Sequence, residues 1–251
     1  MIALLVLPPL LALAPYGTAA GADSTQPAPQ PQVEMRRYVV VLAEKGPAWN
    51  TAPAAREAHE AYRTTLAGTG TLLGAGTVSG DGPLREIWVL DADSAAQVRA
   101  AVERDPEITS GRLAPRMLVW FAAKGFGAEY SRKAVAGEAA NLPPRTYQFG
   151  FLMRGPGWTP ERTPETERIQ AGHMANINRL ADEGTLVAAG PFVDGGSYRG
   201  IFVFDAPTVA EAQRLTDTDP AVIARRLRIE LHTWTTVAGV VPEPARSATP
   251  K

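Results

Sequence analysis

The chain has 251 residues, of which 45% are hydrophobic, and its formal net charge is -1 at pH 7. This length and apolar content allow one or two packed domains, while the near-neutral charge argues against a general polyanion binder, so no nucleic-acid partner is predicted. The sequence contains no cysteine, which excludes disulfides, thiolate nucleophiles and cysteine-based metal sites.

The N-terminus has the pattern of a secretory signal peptide. Residues 2–14 are almost wholly apolar, a run shorter than the ~20 residues of a membrane-spanning helix, and small residues that suit cleavage follow at 18–22. We predict a signal peptide over 1–22 and export to the periplasm or the extracellular space, with no membrane association of the mature protein. No Lys or Arg precedes the apolar run, so an uncleaved anchor and a misassigned start codon remain alternatives. Residues 23–35 are predicted to form a Pro-rich linker.

The rest of the chain repeats itself at an offset of 114 residues, as from His59 to His173. The register runs without a gap to Trp120 and Trp234. Further matched pairs are Gly76 with Gly190, Arg85 with Arg199, Ile87 with Ile201, Asp91 with Asp205, Asp105-Pro106 with Asp219-Pro220, and Leu113 with Leu227. We infer a duplication with repeat 1 over 36–123, a connector over 124–145, repeat 2 over 146–238 and a disordered tail over 239–251.

Within each repeat the hydrophobic periodicity predicts the order βαββαβ. Strands are predicted over 38–43, 147–153, 185–189, 199–205 and 226–235, and helices over 53–68 and 163–183. Ser94 and Thr208 are predicted to cap the second helix of each repeat. This order is that of the ferredoxin-like split βαβ unit, so the predicted fold class is α+β with two tandem units.

The last strand indicates how the two units meet. Leu227, Ile229 and Leu231 alternate with Arg228, Glu230, His232 and Trp234. The first set is expected to face the helices and the second to face a partner sheet. We predict an intramolecular pseudo-dimer of the dimeric α+β barrel type, and pairing between chains in a homo-oligomer is the alternative.

The topology also gathers polar groups at one end of each unit. The Gly-Pro-x-Trp loop, the Asp194-Gly195-Gly196 hairpin and the loop at Asp219 share that end, and His173 lies some turns into the first helix. The hairpin is first of all a turn, because glycine supplies positive φ where the strands reverse. We therefore expect Asp194 on the rim of a site near His173 and Asp219.

The ordered motifs of repeat 2 resemble the YCII-related domain family. The matching segments are GPGW, LVAAGPFVDGG, RGIFVFDA, TDPAV and RIELHTW, together with His173. Repeat 1 resembles it less closely, since it lacks Pro after Gly76 and the Asp-Gly-Gly order. The resemblance implies a ferredoxin-like fold that dimerises and a His/Asp active site. This maps onto His173 and Asp219, and secondarily onto His59 and Asp105.

The chemistry of such a pair is independent of the resemblance. A carboxylate that binds one ring nitrogen fixes the histidine tautomer and makes the other nitrogen a proton shuttle near neutral pH. This requires neither metal nor cofactor, and none is predicted. Candidate substrate-binding residues are Asp194, Arg199, His232 and Trp158, with Arg199 suited to a carboxylate. The structural alternative is that His173 is a semi-buried core residue and Asp219 only caps its turn.

Two hypotheses for function follow. The first is an exported enzyme of lyase or isomerase type that uses His173 and Asp219 for acid-base chemistry on a small organic molecule. The second is a non-catalytic ligand-binding or assembly module on the same fold. A metal site is disfavoured, because His173, Asp219 and Asp194 would be its only ligands.

Overall fold

The computed structural model describes residues 34–194 and 196–243, so the predicted signal peptide lies outside the described residues. Repeat 1 comprises β1 (Met35–Lys45), α1 (Arg56–Gly68), β2 (Leu72–Val78), β3 (Leu84–Leu90), α2 (Ala95–Glu103), α3 (Pro106–Thr109) and β4 (Leu113–Ala123). The connector contains α4 (Ala128–Val135) and a 3-10 turn at Ala139–Asn141. Repeat 2 comprises β5 (Pro144–Arg154), α5 (Pro164–Asp182), β6 (Leu186–Pro191), β7 (Tyr198–Phe204), α6 (Val209–Thr216), α7 (Pro220–Ile223) and β8 (Leu227–Val237). The predicted βαββαβ order is present twice, with a short additional helix before each last strand.

The strands of both repeats form one antiparallel sheet, in the order β4-β1-β3-β2-β8-β5-β7-β6. The repeats join where β2 pairs with β8, with Val78 opposite Trp234. The two outer strands also meet, because Trp120 of β4 forms a bridge with Phe192 beyond β6. The sheet thereby closes into a barrel-like α+β fold, and the predicted pseudo-dimer within one chain is confirmed.

The alternation of side chains along the strands separates two kinds of core. The interior of the barrel draws on both repeats and includes Tyr38, Val40, Trp120, Phe149, Phe151 and Trp234. The outer face of each half packs on its own helices, as Trp88 does in repeat 1 and Phe202 in repeat 2. Leu227, Ile229 and Leu231 pack on the helix side, as the pattern of β8 predicts.

The contacts between the repeats involve matched positions of the two copies. A Cβ on Gly190 would lie 2.1 Å from the carbonyl oxygen of Phe121 and 2.9 Å from Nε1 of Trp120. At the matching place, a Cβ on Gly76 would lie 2.4 Å from the carbonyl oxygen of Thr235. Each glycine therefore allows the other repeat's last strand to approach closely, which explains why the Gly and Trp positions recur together.

One predicted boundary differs from the structure. The tail predicted from 239 instead begins inside the core, where Val240 and Val241 are 0% and 2% exposed. The N–H of Gly127 donates to the carbonyl of Val240 at 2.7 Å. The connector contributes Phe126, which is 3% exposed, to the same core. Both segments are ordered because their apolar side chains cover one end of the barrel. None of the helices in the described residues has the length and hydropathy of a membrane span.

Candidate functional site

In repeat 2 the structure brings His173 and Asp219 together. Nδ1 of His173 donates to Oδ2 of Asp219 at 2.8 Å, and both side chains are buried. The ring of His173 stacks on Phe202 at a centroid distance of 6.0 Å. Among the described residues Nε2 of His173 has no hydrogen-bond partner within the protein. A carboxylate-bound imidazole with its second nitrogen unpaired is an arrangement that can accept a proton.

The local sequence explains how this pair forms. Thr163 caps α5 by accepting the N–H of Thr166 at 3.2 Å, which fixes the start of the helix that carries His173. A Cβ at position 172 would lie 3.0 Å from Cγ of Pro220, so Gly172 lets α7 approach α5 closely. Asp219 then performs two functions, since its Oδ1 accepts the N–H of Ala221 at 2.8 Å as the cap of α7. Asp219 therefore both caps its turn and pairs with His173.

Repeat 1 forms the matching pair with one addition. Nδ1 of His59 lies 2.8 Å from both carboxylate oxygens of Asp105, and Nε2 lies 3.1 Å from both oxygens of Glu86. Glu86 also accepts hydrogen bonds from Arg63 at 3.0 Å and from Nε1 of Trp88 at 2.7 Å. Because both ring nitrogens face carboxylates, both must donate, and His59 is held as an imidazolium.

The electrostatics of repeat 1 agree with this geometry. Burial by itself lowers the pKa of His59, but the hydrogen bonds to Asp105 and Glu86 outweigh it and raise the pKa to about 9. Burial raises the pKa of the Glu86 carboxyl, but His59 and Arg63 outweigh it and lower that pKa. His59 is therefore charged at neutral pH and has no free nitrogen with which to take a proton.

The sequence analysis did not identify Glu86, although the repeat offset points to it. At an offset of 114, Glu86 matches Gly200 and Trp88 matches Phe202. Repeat 2 thus has no side chain at the place from which repeat 1 covers its histidine. Asn176 was also missed; its amide lies 3.5 Å from Oδ2 of Asp219 and follows His173 by one helical turn. The contact of Glu86 arises when α1 packs on β3, and that of Asn176 arises when α5 packs against α7.

Each repeat has one of the two described cavities, but only one of these cavities includes the histidine of its repeat. A cavity of about 220 Å³ is lined by Trp49, Ala54, Arg56, His59, Glu60, Arg63, Thr77, Arg85, Glu86, Glu107, Arg112 and Leu113. A second, of about 330 Å³, is lined by Pro156, Gln213, Val222, Arg225, Leu227, Arg228 and Ile229. His59 lines the first cavity, and His173 lines neither of them.

Among the described residues, none of the four predicted substrate-binding residues forms a hydrogen bond or ring contact with His173. Asp194 and Arg199 are exposed. The ring of Trp158 lies under the Arg154 guanidinium at 3.9 Å. His232 points from β8 toward the barrel interior, where its ring lies 5.7 Å from that of Phe151. His232 and His173 are thus on opposite faces of the sheet, because alternate residues of a strand point to opposite sides.

A metal centre is not formed by the described residues. Within residues 34–194 and 196–243 no group of three or more His, Asp or Glu side chains is arranged to hold a metal ion. Asp194, which completed the only ligand set considered from the sequence, lies exposed on the hairpin.

Comparison with known proteins identifies the family of this fold and site. A family model described as the YCII-related domain matches residues 37–122 and 157–228, which is more than half of the chain. The chain belongs to the YCII-related domain family. Both His/Asp pairs of this YCII-family protein lie inside the matched segments, and the two segments correspond to its two repeats. No match to a curated protein was found.

Solved structures of known proteins share the fold of this YCII-family chain. A mutant chlorite dismutase from Candidatus Nitrospira defluvii is 12% identical with a TM-score of 0.51, over 81% of this chain and 92% of that chain. The same figures hold for chlorite dismutase from that organism in complex with imidazole. A heme-binding protein from Thermus thermophilus is 14% identical over 82% of this chain and 93% of that one, with a TM-score of 0.46. At these identities the likeness to the chlorite dismutases shows a common α+β fold and no more.

Proposed function

We propose that repeat 2 catalyses proton transfer on a small organic molecule, in a reaction of lyase or isomerase type. The observation that supports it is the contact between Nδ1 of His173 and Asp219 at 2.8 Å, with Nε2 left unpaired. A base of this kind removes a proton beside a carbonyl group or from a phenol-like hydroxyl and then returns it elsewhere.

Each residue of the pair has a distinct task in this proposal. Nε2 of His173 accepts the proton, and the ring becomes an imidazolium. Asp219 holds Nδ1–H, which fixes the tautomer whose lone pair is on Nε2, and it stabilises the positive charge that develops. The N–H of Ala221, 2.8 Å from Oδ1, fixes the carboxylate in turn. Phe202 keeps the ring plane in place from one side.

Repeat 1 is a poor candidate for the same chemistry. His59 has Asp105 on one nitrogen and Glu86 on the other, so taking up a proton would first require breaking one of these contacts. With a pKa of about 9 it is protonated over the neutral range. We therefore assign acid-base chemistry to repeat 2 alone.

Access to His173 restricts the proposed substrate to a small molecule, since its side chain is 9% exposed and lines neither of the two cavities described. No haem enters the proposal on the strength of the fold. The chlorite dismutase structures share only a fold with this chain. The proposal therefore uses the chain's own residues.

Solvent deuterium exchange tests the proposal even while the substrate is unidentified. The full chain is incubated in D2O with a panel of small ketones, keto acids and phenols, and NMR follows the loss of carbon-bound protons. We expect exchange in at least one compound, and His173→Asn to slow it by about 10²- to 10⁴-fold. Asp219→Asn still caps α7 but no longer fixes the tautomer, so it should slow exchange by a comparable factor.

A matched substitution provides the control for this experiment. His232→Asn changes a histidine on the other face of the sheet and should leave exchange at the wild-type rate. Exchange that persists in His173→Asn, or a panel with no exchange at all, would remove the support for acid-base catalysis.

Ligand binding without chemistry is the second candidate function. Its support is that the described cavity at a histidine belongs to repeat 1, where His59 has no free nitrogen. A thermal-shift screen with a metabolite panel distinguishes the candidates, because stabilisation that is unchanged in His173→Ala indicates binding elsewhere.

We also propose that the protein is exported. The support is the apolar run at 2–14 followed by small residues at 18–22. Expression of the full chain in a bacterial host, followed by fractionation and intact-mass measurement, tests this. A cytoplasmic product that retains residues 1–22 would contradict it.

A further inference from the structure

The cavity of repeat 1 contains more positive charge than its own carboxylates neutralise. Arg112 is paired with Glu107 at 2.8 Å and also donates to the carbonyls of Trp49 and Ala52. Its positive charge is therefore already balanced, and its hydrogen bonds stabilise the cavity wall.

The charges around His59 also balance. His59 and Arg63 carry two positive charges, and Asp105 and Glu86 carry two negative charges in direct contact with them. This cluster is neutral only because both nitrogens of His59 are donors. The buried carboxylates therefore do not repel an anion from the cavity.

Two arginines of the lining remain without a carboxylate partner among the described residues. Arg85 is half-buried, and its guanidinium donates to the carbonyl of Gly80. Arg56 is exposed at the start of α1 and forms no ion pair within the part of the chain that the structure describes. The lining has one further carboxylate, Glu60, which is an exposed side chain of α1. The free charge of this wall is positive, and guanidinium groups match the planar fork of a carboxylate.

The remaining wall of the cavity is apolar apart from Thr77. The ring of Trp49 lines it together with Leu113 and Ala54. Guanidinium groups lie near this ring, with Arg112 at 4.8 Å and Arg85 at 5.6 Å from its centroid. An aromatic ring bordered by cations suits a ligand with an apolar body and an anionic head. The volume of about 220 Å³ restricts that ligand to a small molecule.

We propose that the cavity of repeat 1 binds a small organic acid, with its carboxylate at Arg85 and Arg56 and its apolar part against Trp49 and Leu113. His59 does not touch this ligand. It acts as a positioning residue, because its charge neutralises Glu86 and Asp105 and so leaves the arginines free to attract an anion. The site is separate from His173, and the proposal does not depend on catalysis there.

Repeat 2 does not reproduce this arrangement. At the offset of 114, Arg56 becomes Gln170, Arg63 becomes Ile177 and Glu86 becomes Gly200, while Glu107 becomes Ala221. Of the charged lining, His59 has a counterpart in His173, and the arginines at 85 and 112 have counterparts in Arg199 and Arg226. The divergence between the copies thus concentrates charged residues around the cavity of repeat 1.

Isothermal titration calorimetry of the full chain at pH 7 tests the proposal, with benzoate, acetate and inorganic phosphate as separate probes. We expect benzoate to bind most tightly, because it combines a carboxylate with an apolar ring. Arg85→Gln should weaken benzoate binding by about tenfold or more, as expected for a lost charge-assisted hydrogen bond. Arg56→Gln changes an exposed residue that cannot disturb the core, and it should weaken binding in the same direction.

A control variant in repeat 2 tests whether binding occurs in the cavity of repeat 1. Arg214→Gln removes an exposed arginine of α6 in repeat 2 and should leave benzoate affinity unchanged. Circular dichroism confirms that each variant is folded. The proposal is overturned if none of the carboxylates binds, if phosphate binds as tightly as benzoate, or if Arg199→Gln weakens binding while Arg85→Gln and Arg56→Gln do not.

Discussion

At the scale of single residues, the two histidines of the duplicated unit have become chemically different. Each binds a buried aspartate through Nδ1 at 2.8 Å. Glu86 also accepts a hydrogen bond from Nε2 of His59, whereas Gly200 at the matching position has no side chain that could bind Nε2 of His173. One side chain therefore leaves repeat 1 with a fixed cation where repeat 2 has a histidine with an unpaired ring nitrogen.

This difference predicts how stability depends on pH. The folded pKa of His59, about 9, lies above its ordinary value of 6.5. Protonated His59 therefore contributes fully to the free energy of unfolding below about pH 6.5, and this contribution is lost as the pH rises through 9. Urea unfolding at pH 6 and pH 9 should show a loss on the order of 2 kcal/mol in the wild type, and a smaller loss in Glu86→Gln.

Glu230 offers a control for that measurement. It accepts a hydrogen bond from His232 at 3.0 Å at a more exposed position of β8. Glu230→Gln should leave the loss between pH 6 and pH 9 as it is in the wild type. An equal loss in Glu86→Gln would show that the Glu86 contact does not hold the charge on His59.

At the scale of elements, the close approach of strands between the repeats depends on glycine. Gly190→Ala would place a methyl group 2.1 Å from the carbonyl of Phe121 and force β4 and β6 apart. We expect a loss of about 1–3 kcal/mol in the free energy of unfolding, which is typical of overpacking. Gly82→Ala, where a Cβ meets no atom within 4 Å, is the control and should change stability little. Equal unfolding midpoints for the two variants would contradict this description of the seam.

The elements themselves were largely predictable. The helix over 163–183, the cap at Thr208 and the alternation in β8 are local patterns, and the structure has them where the sequence indicates. The short helices α3 and α7 were not predicted, because each consists of four residues after an Asp-Pro turn and has no measurable period. The burial of Val240 was missed because it depends on packing against the core of the barrel rather than on its neighbours in sequence.

At the scale of the whole molecule, neither repeat buries its inner sheet face alone. Phe149, Phe151 and Trp234 of repeat 2 lie in a core shared with Tyr38 and Trp120 of repeat 1. We expect a fragment of residues 144–243 to expose these aromatic side chains and to self-associate, through a symmetric pairing of two fragments or through aggregation. Light scattering tests this, and a monomer that unfolds cooperatively would contradict the prediction. The full chain, measured alongside at the same concentration, is the reference.

By itself, the sequence determined the duplication, the order of elements and the recurrence of His with Asp-Pro, because these are patterns along one dimension. It also indicated that repeat 2 was the better candidate for proton transfer. The tertiary structure decided which nitrogen of each histidine is covered, that β4 meets the far edge of the sheet within one chain, and that the cavity beside a histidine lies in repeat 1. Those features depend on contacts between elements that are separate in sequence, such as α1 with β3, whose side chains meet only when the helix packs on the sheet.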